Sequence, residues 1–202
     1  GVAVVPAFAS GRGQEVIRIL HEAAPELEVH YDGMGTRVSQ VWLENPDLLR
    51  EPRKMRKAWN WCRRVRSKSD RKKALDADVI VTTSGMLDGG PVIWYINRLR
   101  HDPANAILLT GYQAEGSGGR MLLEHRRLPI WGKNTPVELE VTQFSLSNHA
   151  GHAELAKFAR ECSPKHVVLF HADAEPAMAL AEELGSEMKV HIPENGKSLI
   201  IR

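Results

Sequence analysis

Two histidines near the C-terminal end of this 202-residue chain are placed where a side chain can do chemistry. His149 lies within the segment Phe144–Leu155, and His171 directly follows the apolar run Val167–Phe170. Imidazole binds metals and exchanges protons near neutral pH, and α/β proteins hold ligands at the carboxyl ends of their strands. Two successive β–turn–α units predict two histidines at adjacent strand ends, the geometry of a metal or phosphate site. The alternative is that both are ordinary loop histidines.

Three glycine-rich turns each follow a predicted strand and precede a predicted helix: Ser10–Gln14, Ser84–Gly90 and Gly111–Gly119. Glycine lets backbone amides approach a ligand, and the start of a helix favours an anion. Three such turns on neighbouring strands predict an extended surface that contacts several phosphates. The turn at Gly11 is not a dinucleotide-binding fingerprint because the third glycine is missing, and the chain has no Walker A sequence, so a nucleotide cofactor is disfavoured.

A strongly basic segment, residues 53–73, contrasts with a net charge of only +2 for the whole chain. Asp70 is its one acidic residue, and Trp59 and Trp61 lie among the cations. Basic side chains neutralise phosphates, and tryptophan stacks on bases for about 1–3 kcal/mol. The segment favours nucleic acid as a partner; the alternative is a solvated surface whose tryptophans anchor it to the core. Its basic residues are Arg53, Lys54, Arg56, Lys57, Arg63, Arg64, Arg66, Lys68, Arg71, Lys72 and Lys73.

The composition is that of a globular protein, with 43% hydrophobic and 26% charged residues. No apolar stretch approaches the roughly 18–20 residues that cross a membrane, so we expect no membrane partner. Cys62 and Cys162 are isolated, which indicates a reducing cytoplasm and disfavours a zinc ribbon or a disulfide scaffold. The chain starts at Gly1 within a buried-strand pattern, and we expect it to be a piece of a longer protein.

Predicted strands and helices alternate along the chain. Apolar runs at Val2–Pro6, Asp78–Thr82 and Ala106–Thr110 predict buried strands, and Pro91–Leu99 predicts a helix with proline in its first turn. Val137–Val141 alternates strictly between apolar and acidic residues, which predicts a half-exposed antiparallel strand. The predicted fold class is α/β, with a mostly parallel sheet flanked by helices.

Several longer motifs resemble the β-CASP nucleases, a family of metallo-β-lactamase-fold enzymes that includes the cleavage and polyadenylation endonuclease and its archaeal and bacterial relatives. The resemblance runs the full length of the chain, in order. It implies a β-CASP domain over residues 1–143 and, over residues 144–202, a short αβ return segment of the αββα lactamase fold. The motifs are Pro6-Ala-Phe8-Ala-x-Gly11-Arg12-x-Gln14-Glu15, Tyr31-x-Gly33, Thr83-Ser-Gly85-Met-Leu-x-Gly89-Gly90, Thr110-Gly-Tyr-Gln-Ala-Glu-Gly116-x-x-Gly119-Arg120 and Pro193-Glu-x-Gly196.

The resemblance also implies roles for individual residues. His149 matches the family's catalytic histidine, which lies against the scissile phosphate, and His171 matches a ligand of one of two zinc ions. A histidine at position 171 favours RNA over DNA as substrate, so the implied activity is a zinc-dependent ribonuclease of RNA processing or decay. The implied RNA-binding residues are Ser10, Gly11, Arg12, Ser84, Gly85, Gly89, Gly90, Gly111, Tyr112, Gln113, Glu115, Gly116 and Arg120. Arg12 and Arg120 are equally compatible with structural ion pairs, and the glycines with turns alone.

Three departures from the family pattern leave alternatives open. The family's His-x-His-x-Asp-His motif does not occur in the sequence, so we expect most zinc ligands in an upstream lactamase half and no activity from this chain alone. Gly151 replaces the aspartate that usually follows the catalytic histidine, and His171-Ala-Asp173 replaces His-Gly-Glu. His152 is a second, less favoured match to that histidine.

The alternative functions are a catalytically inactive paralogue that binds RNA as a scaffold in a processing complex, and an α/β module for a small anion. Family members often form homodimers, which is a further expectation here.

Overall fold

The computed structural model describes residues 1–146 and 149–201 as ten strands and eight α-helices. The strands are β1 (Ala3–Pro6), β2 (Val29–Asp32), β3 (Arg63–Arg64), β4 (Val79–Thr82), β5 (Ala106–Leu109), β6 (Arg127–Ile130), β7 (Lys133–Pro136), β8 (Glu140–Gln143), β9 (His166–Val168) and β10 (Lys189–His191). The helices are α1 (Arg12–Ala23), α2 (Met34–Glu44), α3 (Pro52–Trp61), α4 (Lys68–Lys73), α5 (Pro91–Leu99), α6 (Gly118–His125), α7 (His152–Cys162) and α8 (Ala174–Leu184).

Six of the strands form one parallel sheet in the order β3-β2-β4-β1-β5-β8. Its central strands are apolar because helices cover both faces of the sheet. On one face, Val16 and Ile17 of α1 pack with Met55 and Ala58 of α3. On the other face, α5 and α6 pack in a separate cluster. The predicted α/β class with a parallel sheet flanked by helices is confirmed.

The prediction of an antiparallel strand over Val137–Val141 is wrong. Only its last two residues belong to β8, which pairs in parallel with β5 from Ala106↔Glu140 to Leu109↔Gln143. Alternation reports one buried face, and Val137 and Leu139 are indeed buried, but it carries no information on strand direction. The chain between β5 and β8 contains α6 and the β6–β7 hairpin, which is a crossover long enough to return the chain in the same direction.

The chain divides into two compact units, residues 1–146 and residues 147–202. The second unit contains the parallel pair β9–β10 and helices α7 and α8, which pack through Ala156, Leu180 and Leu184. The prediction that His149 and His171 follow adjacent strands is wrong, because β8 belongs to the six-stranded sheet and β9 to a separate two-stranded one. Among the described residues, no helix is both long and apolar enough to cross a membrane.

Candidate functional site

The three glycine-rich turns meet at the carboxyl edge of the six-stranded sheet. They follow β1, β4 and β5, and β1 lies between the other two strands. The register aligns Pro6 at the end of β1 with Thr82 at the end of β4, so the loops leave the sheet at the same level. Ligands bind outside the carboxyl ends of strands in open α/β sheets, and the turns therefore occupy the edge where a ligand is expected.

Direct contacts hold these loops together. The Thr110 hydroxyl donates a hydrogen bond to the carbonyl of Pro6 at 2.9 Å, joining the loops after β5 and β1. The Gln113 side-chain amide donates to the carbonyl of Gly85 at 3.2 Å, joining the loops after β5 and β4. A Cβ on Gly85 would lie 3.0 Å from the backbone nitrogen of Phe8, so this glycine permits the close approach of the loops after β4 and β1.

The first amides of α6 are engaged inside the protein. The backbone nitrogen of Gly118 donates to the Asp88 carboxylate at 2.9 Å, and that of Gly119 donates to the carbonyl of Met86 at 2.8 Å. The Ser117 hydroxyl accepts from the backbone nitrogen of Arg120 at 3.2 Å. These bonds satisfy amides that would otherwise attract an anion, so the Asp88 carboxylate takes the place expected for a phosphate.

Burial separates the predicted binding residues into three groups. Arg12 is only 8% exposed and pairs with Glu15 of the same helix, while Gln113 is 2% exposed and joins two loops from inside. Gly85 is buried with them. Half-buried positions are Gly11, Ser84, Gly89 and Gly111. The solvent-exposed positions are Ser10, Gly90, Tyr112, Glu115, Gly116 and Arg120, of which Arg120 pairs with Glu124 at 2.6 Å.

Two aromatic side chains at this edge were missed by the sequence analysis as contact residues. Phe8 follows β1 and Phe144 follows β8, and each is 47% exposed. Tyr112, in the loop after β5, is 60% exposed, and β5 lies between β1 and β8 in the sheet. For Phe8, an aromatic residue just beyond an apolar strand was the available signal, whereas β8 is mostly polar and gives no such signal for Phe144. Three partly exposed rings therefore lie at the ends of three neighbouring strands.

In the second unit, His171 lies in the loop that follows β9. The residue is solvent-exposed and has a left-handed backbone conformation, with φ 60°. It lines an open depression of about 510 Å³ between this loop and the loop after β10, together with Phe170, Glu194 and Asn195. Asp173 stands two residues further on, at the N-cap position of α8. The imidazole is thus accessible to a ligand.

His149 is exposed and lies two residues before Gly151, the N-cap residue of α7. The backbone nitrogen of Gly151 donates to the Glu154 carboxylate at 2.8 Å, so Glu154 is engaged in capping the helix. Ser147 and Asn148, which belong to the same predicted motif, lie outside the described residues.

His152 is engaged elsewhere. Its Nε2 lies 2.6 Å from a carboxylate oxygen of Glu183 on α8, and Arg160 pairs with the other oxygen at 3.0 Å. The hydrogen bond from His152, followed by that from Arg160, lowers the pKa of Glu183. These contacts tie α7 to α8, so the described contacts of His152 are those of a structural histidine.

His171 is the residue that best fits a zinc ligand among those the structure describes. Neutral imidazole is a good zinc ligand, and His171 is exposed at a loop where a metal can approach. No group of three or more histidine, cysteine, aspartate or glutamate side chains able to hold a metal ion occurs in residues 1–146 and 149–201.

Comparison with known proteins agrees with this architecture. Residues 13–122 match the model of the Beta-Casp domain, and residues 134–193 match that of the Zn-dependent metallo-hydrolase RNA specificity domain. A probable RNase, MJ4, of Methanocaldococcus jannaschii is 35% identical over 89% of this chain and 43% of its own length. RNase aCSPSF2 of Saccharolobus solfataricus is 33% identical over 98% of this chain and 41% of its own length. Transcription termination factor FttA of Methanosarcina mazei is 31% identical over 94% of this chain and 34% of its own length.

The chain belongs to the β-CASP family of metallo-β-lactamase-fold nucleases. At the level of the family, this is a class of metal-dependent hydrolases with ribonucleases among its members. The chain spans about two fifths of the length of the first two relatives, 43% and 41%.

Proposed function

We propose that this chain is the RNA-binding portion, and part of the active site, of a longer zinc-dependent ribonuclease that hydrolyses phosphodiester bonds in single-stranded RNA. The observation that carries the proposal is the carboxyl edge of the sheet, where three loops clamped to one another present exposed polar and aromatic groups. The ribonuclease names of two relatives support RNA as the substrate class.

In this proposal His171 is a zinc ligand and His149 is a proton donor. His171 would bind zinc through a neutral imidazole nitrogen, and zinc would supply the Lewis acid that polarises the scissile phosphate. His149 would hold a proton and transfer it to the leaving oxygen, a step for which imidazole suits neutral pH. Gly151 stands where the family usually has an aspartate after this histidine, and Asp173 is the substitute by motif.

RNA would lie over the carboxyl edge of the sheet. The exposed positions Ser10, Tyr112 and Arg120 would contact it directly. Gly85 and Gln113 would act as positioning residues, because they hold the loops together from inside, whereas Arg12 is buried and paired with Glu15 in α1. Phe8 and Phe144 join the proposed contact surface as stacking groups for bases.

An upstream lactamase half of the same protein is the proposed partner of the second unit. This unit exposes a large apolar area for its size: Phe158 of α7 is 66% exposed, Met178 of α8 is 64% exposed and Phe170 beside His171 is 81% exposed. Apolar patches of this kind mark surfaces that another part of a protein covers. The same half would bring the remaining zinc ligands to His171.

A catalytically inactive RNA-binding scaffold is the second candidate, and Gly151 favours it. A family member without that motif aspartate would keep its RNA surface while losing part of its rate. The two candidates share the fold and the carboxyl-edge loops. They differ in whether zinc is held and RNA is cut.

The test is zinc content and cleavage of labelled single-stranded RNA by the full-length protein. A nuclease should bind about two zinc ions and cut, His171→Ala should lose both metal and cleavage, and His149→Ala should keep zinc while losing a factor of roughly 10²–10⁴ in rate. His125→Ala, an exposed histidine on α6, is the matched control and should behave as wild type. RNA binding by the wild-type protein without zinc or cleavage would establish the scaffold instead.

A further inference from the structure

The basic segment surrounds the free edge of the six-stranded sheet. Strand β3 is the end strand, and the chain enters it from α3 and leaves it toward α4. Met55 and Ala58 of α3 belong to the core on one face of the sheet, whereas Val65 and Ala74, which flank α4, belong to the core on the other face. The eleven cations therefore lie on both sides of one sheet edge instead of along a single helix face.

The structure divides these cations into two groups. Five are occupied: Lys54 pairs with Glu51 at 2.8 Å, Arg63 with Glu28 at 3.2 Å and Arg71 with Asp32 at 2.7 Å, while Arg64 and Arg56 donate to backbone carbonyls at 2.8 and 3.0 Å.

The other six cations are exposed and have no ion-pair partner among the residues that the structure describes. We name this group the basic edge; it consists of Arg53, Lys57, Arg66, Lys68, Lys72 and Lys73.

The one acid in the segment, Asp70, caps helix α4 and leaves most of the basic edge without a counter-charge. Asp70 accepts the backbone nitrogen of Arg66 at 3.0 Å, and its own backbone nitrogen donates to the Ser67 hydroxyl at 3.0 Å. These reciprocal bonds cap the start of α4, and the bond from Arg66 is the main reason that the pKa of Asp70 is lowered. The Asp70 carboxylate keeps its single negative charge, which also interacts with Lys73, so it offsets at most one of the six cations and most of the positive charge is left for a partner.

Helix α4 begins at the carboxyl edge where the glycine-rich loops lie. The backbone nitrogen of Val65 donates to the carbonyl of Tyr31 at 3.0 Å, so the chain leaves β3 at the end that borders this edge. Arg71 of α4 then binds Asp32, the last residue of β2, with Nε at 2.7 Å and Nη2 at 3.0 Å. The basic edge is therefore held beside the proposed RNA loops within the same unit.

The two tryptophans of the segment are packed and do not offer open faces. Trp61 donates its indole hydrogen to the carbonyl of Pro25 at 3.0 Å and meets His21 edge-on. The Arg64 guanidinium lies over Trp59, 5.0 Å from the ring centroid. Both tryptophans thus fit the alternative interpretation, in which they anchor the segment to the core. What remains available for a ligand is charge, which suits phosphates and not base recognition.

We propose that the basic edge is a second RNA-binding surface, which contacts the backbone phosphates of a single strand that extends beyond the carboxyl-edge loops. The inference rests on the proposed function because the same RNA strand occupies both surfaces. Phosphate contacts carry no sequence information, so this surface would increase affinity for long RNA regardless of sequence. Six unpaired cations at one border of the loops match the charge of such a strand.

The experiment compares binding of a short and a long oligouridylate, about 6 and about 30 nucleotides, by the full-length protein at several salt concentrations. For the long RNA, Lys68→Ala/Lys72→Ala/Lys73→Ala should reduce the slope of log affinity against log salt by about 2, since each phosphate contact on single strands contributes about 0.7. The slope for the short RNA should not change. The matched control removes three exposed lysines elsewhere, with Lys133→Ala/Lys165→Ala/Lys189→Ala, and should leave both slopes as in wild type.

Two results would overturn the proposal. If the Lys68/Lys72/Lys73 variant and wild type had equal slopes while short RNA was still bound, the basic edge would not bind RNA, and the proposed nuclease function would stand. Equal losses in both triple variants would mean that only total charge matters. Failure of the wild-type protein to bind either RNA would instead refute the proposed function. Arg53→Ala/Lys57→Ala on α3 gives an independent check should the α4 variant unfold, with an expected slope change of about 1.4 for the long RNA.

Discussion

Replacement of Asp32 by alanine should destabilise the first unit severely. Asp32 is 3% exposed and accepts three hydrogen bonds: two from Arg71, at 2.7 and 3.0 Å, and one from the Tyr95 hydroxyl at 2.9 Å. The mutation would leave the Tyr95 hydroxyl buried without an acceptor and Arg71 without its counter-ion. The Asp32 carboxylate also keeps the pKa of Arg71 raised, chiefly through their hydrogen bond.

The magnitude follows from these contacts. Removing one partner of a buried ion pair costs about 3–5 kcal/mol, and the lower end applies here because the Arg71 side chain is 31% exposed and can regain some water. Tyr95→Phe removes one hydrogen bond and leaves the ion pair, so it should cost about 1–1.5 kcal/mol. In the double variant the two losses should not add, because the phenol no longer needs Asp32, and we expect a coupling of about 1 kcal/mol.

Urea unfolding followed by tryptophan fluorescence is the assay, since Trp42, Trp59, Trp61, Trp94 and Trp131 all lie in the first unit. Asp76→Ala, an exposed aspartate just after α4, is the matched control and should shift stability by less than about 0.5 kcal/mol. If Asp32→Ala cost no more than this control, or if its loss and that of Tyr95→Phe were strictly additive, the three groups would not form the network described.

Two further predictions concern a thiol and a glycine. Burial raises the pKa of Cys62 to about 11, so the thiol loses its proton at lower pH in the unfolded chain than in the folded one. The neutral buried thiol therefore contributes fully to folding stability below about pH 8.5. This contribution falls by about 3 kcal/mol in total as the pH rises to 11. Urea unfolding should show the stability difference between wild type and Cys62→Ala changing with pH over this range, and a constant difference would contradict the assignment. Gly119→Ala would place a Cβ 1.7 Å from the Gln113 amide oxygen, so it should cost about 1–3 kcal/mol in thermal or urea unfolding, much less in a Gln113→Ala background. Equal costs in both backgrounds would show that the clash is not with Gln113.

Local patterns predicted several strands and helices of the first unit correctly. The helix Pro91–Leu99 was predicted with its observed bounds, because proline marks the first turn and the apolar spacing continues to Leu99. The apolar runs of β1, β4 and β5 were predicted to within one residue at either end. These features depend on residues close together in the chain, and the sequence therefore carries them directly. The direction of β8 could not be predicted in this way, since a parallel and an antiparallel strand show the same alternation of apolar and polar residues.

The sequence likewise predicted only part of the candidate site. That three glycine-rich turns meet at one edge follows from parallel strands, and the family motifs pointed to the same loops. Two other features depend on contacts between distant parts of the chain. Gln113 is buried between two loops because it binds Gly85, 28 positions away. Asp88 fills the start of α6 because it binds Gly118, 30 positions away. Neither residue type reveals such a role, because glutamine and aspartate are ordinarily exposed.

The sequence by itself determined the α/β class, the family and the residues able to do chemistry, because these depend on residue type, local periodicity and motif order. Only the tertiary structure decided which charges are free. Arg71 and Lys72 are neighbours of equal charge, yet Arg71 is bound to Asp32, which lies 39 positions away, while Lys72 is exposed and belongs to the basic edge. An ion pair forms between groups that folding brings within about 4 Å, and no local pattern states which distant carboxylate will arrive there.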